Sequence, residues 1–145
     1  MNILYVCHGP LPSPHTDTEQ LLQTVTHLAG ARIAVDLVFP SSPGEWRPIS
    51  VRRGEIAAFY GFSAGIFEQG LRLLEVPLPS WLTGNGRKGV FSLRAAQFAL
   101  GRKYDLVYAR DLFPTWACLM AGLRVGFETY RVDINTRRGF LPWRM

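Results

Sequence analysis

The side chains most able to do chemistry gather first in "CHGPLPSPHTDTEQ", residues 7 to 20, with two histidines, three prolines, one glycine and a hydroxyl-rich acidic run. A histidine at a strand end can act as a general base or hydrogen-bond a sugar. His8 and His15 are therefore candidates, and both read equally well as ordinary loop residues. Thr16-Asp17-Thr18-Glu19 has the Thr-x-x-Glu spacing of a capping box. A helix start there also attracts anions, and Thr18 offers a hydroxyl. A second set comes late in the chain: Arg110-Asp111, then Glu128-Thr129-Tyr130-Arg131. Arg110 can pair with Asp111 or Glu128, or it can take a phosphate or carboxylate. Glu128 closes an otherwise apolar segment, where a carboxylate needs a partner, either structural or a ligand. Trp81 and Trp143 fall in loops, where an indole stacks on a sugar or anchors packing. His27 falls inside a helix and reads as a surface or edge residue.

Several chemistries lack their residues. A dinucleotide-binding turn needs G-x-G-x-x-G. Here Gly9 stands alone, and Pro10, Pro12 and Pro14 stiffen the backbone and remove donors. There is no Walker A sequence, zinc spacing or nucleophile elbow. The carboxylates are scattered, with no spacing that marks an acid/base pair. Taken alone, these residues reach an α/β ligand-binding domain and no complete catalytic constellation.

The elements that must position them alternate. Apolar, β-rich runs at Asn2–Cys7, Arg32–Phe39, Leu71–Val76, Tyr104–Ala109 and Arg124–Thr129 read as strands. Leu21, Leu22, Val25, Leu28 and Ala29 recur at helical spacing, with Gly30 as a stop. Gly54–Phe62 is a short helix, and Phe91–Lys103 a longer one with Leu93, Ala96, Phe98 and Leu100 among its apolar positions. Asp111 caps a further helix through Ala121, with Pro114 tolerated in its first turn. Being apolar nearly all round, that helix is expected to be buried. Residues 77–89, "PLPSWLTGNGRKG", read as a long turn-rich connection and the best candidate for a mobile segment. Strand–helix alternation every 30 residues or so predicts βαβ units: an α/β, Rossmann-like doubly wound parallel sheet of about five strands. In such sheets ligands bind beyond the carboxyl ends of the strands. The opening loop, Arg110-Asp111 and the segment from Glu128 to Arg131 should all meet there.

The totals bound the rest. The 145 residues make one ordinary domain, 48% hydrophobic and 19% charged, with a formal net charge of +5. The basic residues come in scattered pairs, Arg52-Arg53, Arg87-Lys88, Arg102-Lys103 and Arg137-Arg138, and no run reads as a nucleic-acid arm. They suit either a scattered solubilising surface or attraction to phosphates and anionic membranes. Cys7 and Cys118 sit in apolar runs and read as buried thiols of a reducing compartment. No apolar stretch is long enough for a membrane span, and the N-terminus lacks the basic start of a signal peptide. The expected location is the cytoplasm, with peripheral contact at the inner membrane surface as an extension.

Two stretches carry a resemblance. "MNILYVCHGPLPSPHTDTEQLLQTVTHLA" and "YDLVYARDLFPTWACLMAGLRVGFETYR" resemble the N-terminal domain of family-4-type glycosyltransferases of the GT-B fold, over residues 1 to about 133. The resemblance rests on a first strand meeting a proline-bearing loop, then Tyr-Ala-Arg-Asp, an apolar helix and a strand ending in Phe-Glu-Thr-Tyr-Arg. Residues 41–90 match only in general layout. The resemblance implies the acceptor-side half of an enzyme that moves a sugar from a nucleotide sugar to an acceptor hydroxyl, usually with retention and without a required metal. A second Rossmann-like domain would hold the donor nucleotide sugar; no cofactor is implied for this chain. His8, Gly9 and Pro10 would line and shape the acceptor side. Thr16, Asp17, Thr18 and Glu19 would start the helix that points at the cleft. Arg110, Glu128, Tyr130 and Arg131 would contact acceptor or support the cleft. Two departures stand out: Asp17-Thr18 occupies the place of a frequent Gly-Gly pair, and Tyr130-Arg131 that of a frequent histidine.

The resemblance further implies that the donor half is a separate domain or subunit, the chain reading as the N-terminal part of a longer or split enzyme. An exposed apolar face is expected where that half docks, on the strand-carboxyl side. Two other readings compete: a non-catalytic Rossmann-like module that binds a sugar or a partner, and an NAD(P)-dependent epimerase or dehydrogenase.

Overall fold

The computed structural model describes residues 1–42 and 47–128. Its elements run β1 (Asn2–Val6), α1 (Thr16–Gly30), β2 (Ala34–Pro40), α2 (Ile49–Tyr60), α3 (Ile66–Gln69), β3 (Leu71–Val76), α4 (Gly84–Leu100), β4 (Leu106–Ala109), α5 (Leu112–Met120) and β5 (Val125–Phe127). The strands form one sheet in the order β3-β2-β1-β4-β5, and each pair is parallel. This is the Rossmann-like doubly wound arrangement expected from the alternation.

Side-chain alternation along β1 divides the core. Tyr5 and Cys7 face Leu21, Leu22 and Val25 of α1 and Ile56 of α2. Leu4 and Val6 face Phe91, Ala95 and Ala99 of α4 and Ala117 and Cys118 of α5. A strand buried on both faces must be apolar on both, which is why β1 is apolar from Ile3 onward and β2 is apolar apart from Asp36. The chain winds outward from β1 to β3, then returns past β1 to β4. The loops after β1 and β4 therefore part in opposite directions, and that divergence opens a crevice at the carboxyl ends.

Four sequence expectations are corrected. Residues 84–89 are not loop: α4 begins at Gly84, so the turn-rich connection shrinks to 77–83. Three glycines at about 1 kcal/mol each are outweighed once the buried face of Phe91, Ser92, Ala95, Ala96 and Ala99 anchors the rest of the helix. On that helix Leu93 and Leu100 are exposed rather than core. The second helix starts at Ile49 behind Pro48, five residues earlier than expected, and ends at Gly61, which takes the left-handed conformation with φ 72°. The fourth concerns α5, which is not buried all round. Phe113, Trp116, Leu119 and Met120 are exposed, and Trp116 retains 63% of its accessible surface. A helix at the margin of one outer layer meets neighbours on one side only, here α4 and the sheet.

Candidate functional site

The loop after β1 is built as a bracket. Leu11 drops into the α1-side core. The Tyr60 hydroxyl donates to the Ser13 carbonyl at 3.0 Å and accepts from the Ser13 amide at 2.9 Å. The Leu11–Pro12 peptide is cis. The prolines thus shape a loop that is pinned to α2 through a residue 47 positions away. Tyr60 carries no motif, and only the sheet order brings it here. Gly9 is not crowded: a Cβ there would meet nothing within 4 Å.

The capping box does not form. His15 is the N-cap of α1 and Thr16 its first residue, and no side chain caps the helix. The His15 carbonyl accepts the amides of Thr18 and Glu19, both at 3.1 Å, and Asp17 Oδ1 accepts the Thr18 amide at 3.1 Å. Thr16 and Glu19 are exposed, whereas Thr18 is buried. The bracket sets where the helix begins, one residue before the box requires. At α5 the expected cap is present: Asp111 Oδ1 accepts the Phe113 amide at 3.0 Å, with Pro114 in the first turn.

Arg110 stands at the carboxyl end of β4, beside the point where the connections from β1 and β4 diverge. It follows β4, and its side chain keeps only 9% of its accessible surface. Nε donates to Glu128 Oε2 at 2.9 Å, and Nη1 donates to the Asp17 carbonyl at 3.1 Å. The Tyr5 hydroxyl donates to the same Glu128 oxygen at 3.4 Å. Burial pushes the Tyr5 phenol up to about 12, against the opposing charge of Arg110. One guanidinium therefore ties the end of β4 to the first turn of α1 and to the residue after β5. Of the two pairings open to Arg110, the structure uses Glu128. The Glu128 amide continues the ladder to the Ala109 carbonyl at 3.1 Å, and its side chain remains 43% exposed.

His8 stands apart from this cluster. It is exposed and borders a shallow recess with Lys88, Asp111 and Phe113, between the first turns of α4 and α5. His15 and His27 are exposed on α1. Trp81 is exposed in the loop before α4. Tyr130, Arg131 and Trp143 lie outside the described residues. The crevice therefore joins Asp17, Arg110 and Glu128, leaves His8 and Lys88 on its α4/α5 flank, and adds Tyr5, which carries no recognisable spacing in the sequence.

Cys7 and Cys118 are free and buried, and burial pushes each up to about 11. Among the described residues, no group of three or more His, Cys, Asp or Glu side chains could hold a metal ion. Among the same residues no helix is long and apolar enough to cross a membrane.

No family model, curated protein or solved structure matches the chain.

Proposed function

We propose that this chain is the acceptor-side, N-terminal half of a GT-B glycosyltransferase, which moves a sugar from a nucleotide sugar to an acceptor hydroxyl. One observation carries the reading: Arg110 holds the Glu128 carboxylate, half-exposed, at the crevice beyond the carboxyl ends of β1, β4 and β5. A carboxylate fixed by a guanidinium accepts hydroxyl hydrogens and suits a polyol. Such a group orients an acceptor. The leaving diphosphate would be stabilised by donors aimed at developing charge, supplied by a donor-binding domain or subunit. The apolar outer face of α5 is a surface such a partner could cover.

The test is calorimetric titration of the purified chain with UDP-glucose, GDP-mannose, NAD and NADP, alone and with a donor-binding domain added. Nucleotide-sugar binding that needs the added domain, with sugar transfer to an acceptor hydroxyl that falls with Glu128→Gln, supports the reading. Tight NAD or NADP binding to the chain alone overturns it in favour of a dehydrogenase or epimerase. A second reading, a non-catalytic module, is favoured by the way Arg110 and Glu128 satisfy each other. It predicts sugar binding with no nucleotide-sugar binding in either arm.

A further inference from the structure

The opposite end of the sheet carries a cavity of about 310 Å³, lined by Asn2, Ala34, Asp36, Arg72, Arg102, Lys103 and Tyr104. Asn2 opens β1, Asp36 lies in β2 and Arg72 in β3, directly across from Asp36 in the parallel register. Residues 102–104 form the link between α4 and β4. The hollow therefore sits at the amino ends of the strands, away from the Arg110 crevice at their carboxyl ends.

Its charges are not a chance scatter. Asp36, 12% exposed, accepts Arg72 Nε at 3.0 Å and the Tyr104 hydroxyl at 2.5 Å, with Arg72 Nη2 on its second oxygen. Arg102 Nη1 stands 3.9 Å from that oxygen, and its guanidinium lies 4.7 Å from the centre of the Phe98 ring. One carboxylate and one aromatic face thus hold two half-exposed guanidiniums in place. Asp105, the nearest other acid in the sequence, accepts the Asn2 amide at 2.7 Å. The lining carries three cations against one carboxylate, a surplus of two positive charges.

An ion pair between Asp36 and Arg72 explains those two residues as sheet structure. It does not explain why Arg102 and Lys103 converge on the same hollow. Guanidinium forks match the oxygens of phosphate, and held forks lose less freedom on binding than mobile ones. A lining with more cations than carboxylates attracts such an anion.

We propose that this cavity binds a phosphate group through Arg72, Arg102 and Lys103, with Asp36 as the positioning residue for the arginines. The group could be carried by a small phosphorylated molecule or by a lipid headgroup, and the experiment separates them. The full chain is titrated with inorganic phosphate while the arginine side-chain Nε–H and backbone amide NMR signals are followed. In parallel it is mixed with phosphatidylcholine vesicles with and without phosphatidic acid. Saturable shifts of Arg72, Arg102 and Lys103 are expected. A double substitution, Arg102→Gln with Lys103→Gln, should weaken binding at least tenfold. Arg94→Gln with Arg124→Gln removes the same charge from exposed positions outside the lining and should change it less than twofold. Response to inorganic phosphate without vesicle binding assigns a small phosphorylated ligand. Phosphatidic-acid-dependent vesicle binding lost in the lining variant assigns the headgroup. Equal weakening by the two double variants, or no binding in either arm, overturns the proposal.

Discussion

Gly126 lies directly against the ring of Tyr108. A Cβ on Gly126 would come within 2.8 Å of both Cδ2 and Cε2 of that ring. The same ring packs against Tyr5, with centroids 5.2 Å apart. Tyr5 in turn reaches Glu128, and Glu128 reaches Arg110. A missing methyl in β5 thus makes room for the aromatic pair beneath the crevice.

The first prediction follows from that contact. Gly126→Ala forces Tyr108 against Tyr5 and should cost about 1–3 kcal/mol, the usual range for overpacking. The midpoint of urea unfolding measures it. An unchanged midpoint would mean that the ring has room to move.

Arg110→Lys keeps the charge but loses the fork that spans Glu128 and the Asp17 carbonyl. One of the two contacts must lapse. Stability should fall by about 1.5–3 kcal/mol for a lost hydrogen bond to a charged group. Amide hydrogen exchange should rise in the first turn of α1. Equal exchange in the two proteins would show that Arg110 does not tether that turn.

Tyr5 predicts an alkaline limit. Its phenol titrates near 12 in the fold against an ordinary 10. Between those values the unfolded chain has already released the proton that the fold retains. The contribution of Tyr5 is therefore complete below pH 10 and is lost as pH rises through about 12. Tyr5→Phe keeps the ring and should flatten that part of the stability curve, followed by denaturant unfolding at successive pH values.

The two thiols should be silent in the native protein. Cys7 and Cys118 are buried, with their thiols pushed up to about 11. A disulfide reagent at neutral pH should react only after denaturation, and then with both cysteines. Fast reaction of the folded chain would mean that the core opens locally.

The outer face of α5 should bind a hydrophobic dye. Trp116→Lys combined with Met120→Lys places charge on exposed positions and should reduce both dye binding and self-association, with stability changed by less than about 0.5 kcal/mol. A large loss of stability would mean that this face is covered within the chain.

Much of the architecture was legible along the chain because it rests on local patterns. β1, β2 and β3 are short and mainly apolar, α1 carries its core residues at helical spacing, and Asp111 caps α5 with its own side chain. Strand–helix alternation is enough to specify a parallel sheet, since each crossover needs a helix to cover it. The sequence also determined that Arg110 and Glu128 stand at strand ends, and that both cysteines are buried. Tertiary structure decided which groups meet. Tyr60 reaches Ser13, and Arg102 approaches Asp36, across separations of 47 and 66 residues in the chain, where no local spacing carries information. It moved the start of α1 to Thr16, because the pinned loop sets where the backbone turns helical, whatever the Thr-x-x-Glu spacing offers. It also left α5 half uncovered. Hydrophobicity states that a helix seeks cover, but only the positions of α4 and the sheet decide on which sides it finds it.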